Sequence, residues 1–265
     1  MSNKFDDLGN AEIFSTWCFN LEYKEIPNEV IDKIKLIFMD SLGLIFASRN
    51  EDYIKAIKQS FTDSGNCTVP GHLEKLCPSD AIVLNGTAIH GEDFDDTFEG
   101  TPVHVGSVMC SSLLTAAEYY KLKPKEILKG LAVGSELMCR LALVSPMAIH
   151  KQGFHPTAIL GAFGASIGIS KILKNSVLQT TSSLGIVGSM ASGIIEYLAE
   201  GTWTKRLHPG WAGASGWKSA HLGKNNFKGP RTVFEGKNGI FNSFADRKII
   251  PDFKKLTDDL GSYWH

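Results

Sequence analysis

Pro156-Thr157-Ala158-Ile159-Leu160-Gly161-Ala162-Phe163-Gly164-Ala165-Ser166-Ile167-Gly168 is the stretch on which the reading of the fold turns. Its small residues, Ala158, Gly161, Ala162, Ala165 and Gly168, recur three and four apart, the spacing of one helical face. Small side chains let helix axes approach closely, so a helix of this kind belongs at the centre of a helical assembly. Gly185, Gly188, Ser189 and Ser192 give a second pattern over 176–198 the same character. These glycines are read as packing positions.

Outward from that centre the chain is helical almost throughout. Pro27-Asn28 opens an amphipathic segment in which Val30, Ile31, Ile34, Ile37, Phe38, Ser41, Leu42 and Ile45 form one apolar face. A helix is predicted from Pro78 to about His90, with Asp80 in its first turn. Further helical patterns cover 107–120, 125–143, 156–173 and 209–221, joined by short connections. Past Phe227 the texture changes: a turn at Gly229-Pro230, a short strand over 231–234, then a polar tail with one weak helical pattern in Phe253, Leu256 and Leu260. The expected fold is all-α, a multi-helix domain over 1–245 followed at 246–265 by at most the start of a second, α+β element.

Composition narrows the function. The 265 residues are 43% hydrophobic, enough to fill a sizeable core. Lys+Arg at 27 against Asp+Glu at 28 leaves a net charge of −1 with no basic run, so nucleic acid is not an expected partner. The low-charge stretch 157–170 is shorter than the ~20 residues of a bilayer span, so no membrane association is expected. Five cysteines without a C-x-x-C spacing, and acids at Asp6 and Asp7, read as a cytoplasmic protein with reduced thiols.

Three places gather groups that move protons. Asp93, Asp95, Asp96 and Glu99 crowd four carboxylates together, an arrangement that is costly unless donors or cations relieve it. His104 follows in a loop just ahead of Gly106-Ser107, and Asp93 or Asp96 is placed to orient its imidazole. Thr97 offers a hydroxyl for a carboxylate or for a cap. His155-Pro156 puts a histidine at a helix N-cap, where the unpaired N–H groups disfavour a protonated ring. Lys205 and Arg206 supply fixed positive charge just before His208-Pro209, read as a second N-cap junction. No iron–sulfur spacing, zinc motif, P-loop or G-x-G-x-x-G is present, which leaves acid/base chemistry with no metal and no cofactor.

Together these motifs resemble one family. His90-Gly91-Glu92-Asp93-Phe94-Asp95-Asp96-Thr97, His104 before a Ser-rich helix, Gly153-Phe154-His155-Pro156-Thr157-Ala158, Gly201 to Trp211 and Gly229 to Gly236 are similar, in order, to the MmgE/PrpD family. Its members include 2-methylcitrate dehydratase, cis-aconitate decarboxylase and iminodisuccinate epimerase. The resemblance implies a helical domain followed by a smaller α+β lid, a cytoplasmic homodimer, and a cleft for a di- or tricarboxylate. It implies catalytic roles for His104, His155 and Asp93, and substrate binding by Thr97 and Lys205, with Arg206 beside it. Dehydration ranks first, as the broadest branch, with decarboxylation and epimerisation as alternatives. Two features depart from the pattern: His104-Val105-Gly106 stands where His-Pro-Gly is frequent, and the chain stops at His265, where the lid is expected to begin. A helical part without its lid is expected to turn over weakly or not at all, because an open cleft admits water. The alternative of another class is a non-catalytic, dimerising or ligand-binding helical domain.

Overall fold

The computed structural model describes residues 8–265; Asp6 and Asp7, read above as evidence against a leader peptide, lie outside the described residues. The chain order is α1 Asn10–Asn20, α2 Asn28–Ser48, α3 Asp52–Ser60, β1 Ser64–Thr68, β2 Lys75–Leu76, α4 Pro78–His90, α5 Val105–Tyr120 and α6 Pro124–Val144. It continues through α7 Ala148–Lys151, α8 Pro156–Ile172, α9 Val177–Val187, α10 Tyr197–Glu200, α11 Thr204–Lys224, α12 Ile240–Phe244 and α13 Lys254–Thr257. The all-α expectation holds. The strands are a small antiparallel pair that the periodicity did not signal.

Helix α8 is the central post, buried along nearly its whole length and packed by α5, α6, α9 and α11. The small residues explain how. A Cβ on Gly134 of α6 would stand 2.6 Å from the Gly164 carbonyl of α8, and one on Gly164 would stand 2.9 Å from the Gly134 carbonyl. Backbone therefore meets backbone where larger side chains would hold the helices apart. The same device joins α4 to α11: a Cβ on Gly86 would lie 2.5 Å from the Gly210 Cα, and one on Gly210 would lie 2.3 Å from the Val83 carbonyl oxygen.

Several expectations are corrected. The pattern over 176–198 is not one helix: α9 ends at Val187, and the Gly- and Ser-rich run from Gly188 to Gly193 leaves the axis, with Gly193 at φ +130. Glycine and serine favour the helix too weakly to carry it past that point. The predicted strand over 231–234 is a turn in which the Gly236 N–H donates to the Thr232 carbonyl, while Phe234 packs on Phe163 with ring centroids 5.3 Å apart. Helix α11 begins at Thr204, so Pro209 sits inside it and His208 is not an N-cap residue. Proline there removes the hydrogen bond to the Lys205 carbonyl and sets its ring against that carbonyl, yet the helix runs on to Lys224. The tail forms one helical turn, α13, and is tied to α6 by Arg140. This fully buried guanidinium donates to the carbonyls of Lys255, Asp258, Asp259 and Tyr263 and to Glu136.

Candidate functional site

Four helix ends converge on one cleft. The C-terminus of α4 brings His90, the N-cap of α5 brings His104, the N-cap of α8 brings His155, and the first turn of α11 brings Lys205 and Arg206. These residues, with Asp93, Glu92, His150 and Tyr197, line a cavity of about 490 Å³. The His90 ring centroid is 4.6 Å from that of His104 and 5.7 Å from that of His155, so the sequence-predicted histidines at 104 and 155 share one wall.

Three of the four acids of the crowded run, Asp93, Asp95 and Asp96, each have their own partner. Asp95 is buried, accepts from His90 Nδ1 at 2.9 Å, and lies 3.4 Å from His104 Nδ1. Asp93 adopts a left-handed backbone, φ 58, which turns its carboxylate the other way, into contact with Lys205 Nζ. Asp96 accepts from the Gly106 N–H at 2.8 Å and so caps the start of α5. The expectation gave Asp93 or Asp96 the task of orienting His104. In the structure Asp95 makes the close contact, and Asp93 stands 3.9 Å from His104 Nε2. Thr157 steadies the same loop: its hydroxyl accepts the His104 N–H at 3.1 Å and lies 3.4 Å from the Pro102 carbonyl, to which it donates.

The environments push the histidines apart in acidity. Burial opposes charge on His104, but the hydrogen bond and negative charge of Asp95 outweigh it, so its pKa is raised above the ordinary histidine value. His155 goes the opposite way: burial, then the nearby His90, His208 and Lys205, hold it well below that value. For Asp95, burial alone would raise the pKa, yet hydrogen bonds from His104 and His90 pull it well below the usual carboxylate range. Burial drives Asp96 up to about 6 against its Gly106 bond. Asp93 is lowered despite its burial, because Lys205 sits on it.

The remaining predicted residues divide. Arg206 lines the cleft, stacked 4.4 Å over the Tyr53 ring and 3.8 Å from Glu92 Oε1. Thr97 reaches to 3.5 Å from His104 Nδ1 but lines the neighbouring cavity, of about 600 Å³, between α2, α6 and the tail. Sequence reasoning assigned no part in the chemistry to His90, His208 or Tyr197. His90 closes a helical pattern and looked like one more helix residue, while Tyr197 fell inside the pattern that proved not to be one helix. His90, Asp93, Asp95 and His104 have ligand atoms within 4.8 Å of one another and so could hold a cation, although the Lys205 amine already occupies Asp93. The cysteines are free; burial pushes Cys18 and Cys110 up to about 12, which makes them inert thiols. Among the described residues no helix is long and apolar enough to cross a membrane.

An all-α domain whose helix ends gather imidazoles, carboxylates and an amine around one cleft is the class of protein this geometry defines. The MmgE/PrpD N-terminal domain matches residues 12–251, and the chain belongs to the MmgE/PrpD family. It is 28% identical to the cis-aconitate decarboxylase-like protein oryM of Aspergillus oryzae, over 94% of this chain and 54% of that protein. It is likewise 28% identical to cis-aconitate decarboxylase of Homo sapiens, over 96% of this chain and 57% of that one. Against cis-aconitate decarboxylase of Mus musculus the identity is 30%, over 89% and 50%. The chain spans about half the length of the curated relatives it matches.

Proposed function

We propose that this cleft performs acid/base lyase chemistry on a di- or tricarboxylate, with His104 and His155 as its proton-transfer pair. The observation that carries this reading is the split between two histidines on one wall, one held toward its charged form by Asp95 and the other held neutral by burial. Titratable neighbours whose environments drive their pKa values apart are the mark of an acid and a base assigned to different jobs. His155 takes a proton from the departing carboxyl group in decarboxylation, or from carbon in dehydration or epimerisation, and His104, charged, delivers one to carbon or to the leaving group. Lys205 and Arg206 meet the substrate's carboxylates, Lys205 by exchanging Asp93 for the incoming anion. Thr97 is kept as a carboxylate contact near His104.

Decarboxylation ranks ahead of dehydration and epimerisation in this proposal, because the relatives reported above bear the name cis-aconitate decarboxylase. In that reaction a carbon–carbon bond of cis-aconitate breaks, carbon dioxide leaves, and the electron pair shifts the double bond. A proton from His104 then completes the product on carbon. The sequence reading put dehydration first on the breadth of that branch alone, and nothing in the cleft favours a leaving hydroxyl over a leaving carboxylate. The homodimer and the beginning of a lid at 246–265 belong to the same proposal.

Proton NMR of the protein with cis-aconitate and, separately, 2-methylcitrate tests it, alongside thermal unfolding in each acid. Binding at a hundredfold over Kd stabilises a native state by about 2.7 kcal/mol. The expected result is stabilisation by cis-aconitate and its slow conversion to itaconate. Stabilisation with no conversion favours the second reading, a binding domain without turnover. Neither stabilisation nor conversion with either acid overturns the proposal.

A further inference from the structure

The chemistry above leaves His208 unused. It lies one helical turn after Lys205, so both project from the same side of α11. Its Nδ1 is 3.2 Å from Nδ1 of His155, with ring centroids 5.3 Å apart. Two ring nitrogens at that distance form a hydrogen bond only when one carries the proton and the other a lone pair. Burial pushes His208 down to about 4, and burial with its cationic neighbours holds His155 low as well, so both rings are neutral at neutral pH. One of them is therefore protonated on Nδ1 with a bare Nε2, and the other is the reverse.

The backbone around the pair is fitted to it. The Gly193 carbonyl accepts the His155 N–H at 2.8 Å. A Cβ at residue 193 would come within 3.3 Å of both Nδ1 and Cε1 of His208, and within 2.6 Å of the Ala158 Cβ. Gly193 also takes a φ of +130, which other residues rarely adopt. The Tyr197 ring closes the remaining side, 6.1 Å from His155 and 5.7 Å from His208. His155 lines the cleft and His208 does not.

We propose that His208 is a positioning residue: its Nδ1 accepts the Nδ1 proton of His155 and thereby fixes the tautomer in which His155 presents a bare Nε2 to the cleft. The opposite assignment would put a proton on the nitrogen that must receive one. A carboxylate partner would fix the same tautomer but would also add negative charge and make the ring basic, as Asp95 does for His104. A neutral imidazole orients without charging. The two histidines thus have two kinds of partner, matched to a ring that works charged and a ring that works neutral. The catalytic meaning of this inference rests on the function proposed above, whereas the tautomer itself is a property of the resting protein.

Nitrogen-15 NMR of histidine-labelled protein reads the tautomer of His155 directly. The wild type is expected to show His155 protonated at Nδ1 only. His208→Asn, whose amide oxygen reaches toward the same place and accepts a proton, is expected to keep that tautomer. His208→Phe, which preserves ring volume without an acceptor, is expected to show a mixture. If cis-aconitate is turned over, His208→Phe lowers kcat roughly tenfold or more with KM little changed, and His208→Asn restores most of it. A wild-type His155 protonated at Nε2, or a tautomer unchanged in His208→Phe, overturns the inference. Should the Phe variant fail to fold, the wild-type and Asn spectra still decide. Absence of turnover in every form would count against the proposed function and leave the tautomer result standing.

Discussion

Replacing Asp95 with Asn removes one charge and keeps the shape, and its effect follows from the two contacts. Asp95 accepts from His90 Nδ1 at 2.9 Å and lies 3.4 Å from His104 Nδ1, the first a good hydrogen bond and the second a long one. Hydrogen bonds to charged groups contribute about 1.5–3 kcal/mol each, so the good bond and the long one together place the loss near 3 kcal/mol. An amide also has only one oxygen, so its NH₂ must face one imidazole that is now a donor. His90 cannot easily turn its proton to the other nitrogen, since Nε2 is buried with no hydrogen-bond partner. The pH dependence has a definite sign. His104 is raised in the folded protein, so its contribution is complete below the ordinary histidine pKa and is lost as pH rises through the folded value. Asp95 is depressed, so its contribution is complete above the usual carboxylate range and is lost only as pH falls below it. The Asp95→Asn deficit, measured by urea unfolding, is therefore expected to be larger at pH 6 than at pH 8. Proton NMR titration of His104 is expected to find its pKa lowered, because burial and Lys205 are then opposed only by Asp93. An unchanged urea midpoint together with an unchanged His104 titration would refute this account of the acid cluster.

His104→Ala is expected to cost any cis-aconitate turnover 10²- to 10⁴-fold, the usual range for a lost general acid or base, with an unaltered circular dichroism spectrum. Unchanged rates would remove His104 from the reaction. Lys205→Met is expected to weaken carboxylate binding by isothermal calorimetry roughly tenfold or more, equivalent to about 1.5 kcal/mol for a lost charged contact, and to let the Asp93 pKa rise in an NMR titration. Arg140→Met leaves Glu136 buried without its cation and frees four carbonyls of the tail; about 3 kcal/mol of destabilisation is expected, with proteolysis first between residues 252 and 265. A protease-resistant tail in that variant would show that the guanidinium is not its anchor.

Much of the fold was legible because one kind of signal, small residues at helical spacing, reports close packing directly: α8 was read from it as the central helix. The same signal failed from Gly188 onward, where glycine and serine continue a pattern on paper that the backbone does not follow. Within the site, the types of group were legible and their pairings were not. Which acid of Asp93, Asp95 and Asp96 meets His104 depends on a single left-handed residue, Asp93, and no spacing rule announces it. His208 was hidden by the proline after it, since His-Pro reads as the start of a helix until the preceding turn, Thr204 to Leu207, is seen to be helical already. His155-Pro156 shows the same dipeptide where that reading is correct.

The contact between Gly86 and Gly210 carries a consequence for substrate choice. Peptide atoms of α4 and α11 touch there with no side-chain layer between them, four residues before His90 and two after His208. A layer of side chains can be repacked to change a gap by fractions of an ångström, but a backbone-on-backbone joint has nothing to trim. The span from His90, at the end of α4, to the amine of Lys205 thus behaves as a fixed gauge. Accommodating a longer or shorter acid falls to the connections that close the cleft, 91–104 and 188–203, whose lengths can vary while the gauge stays put.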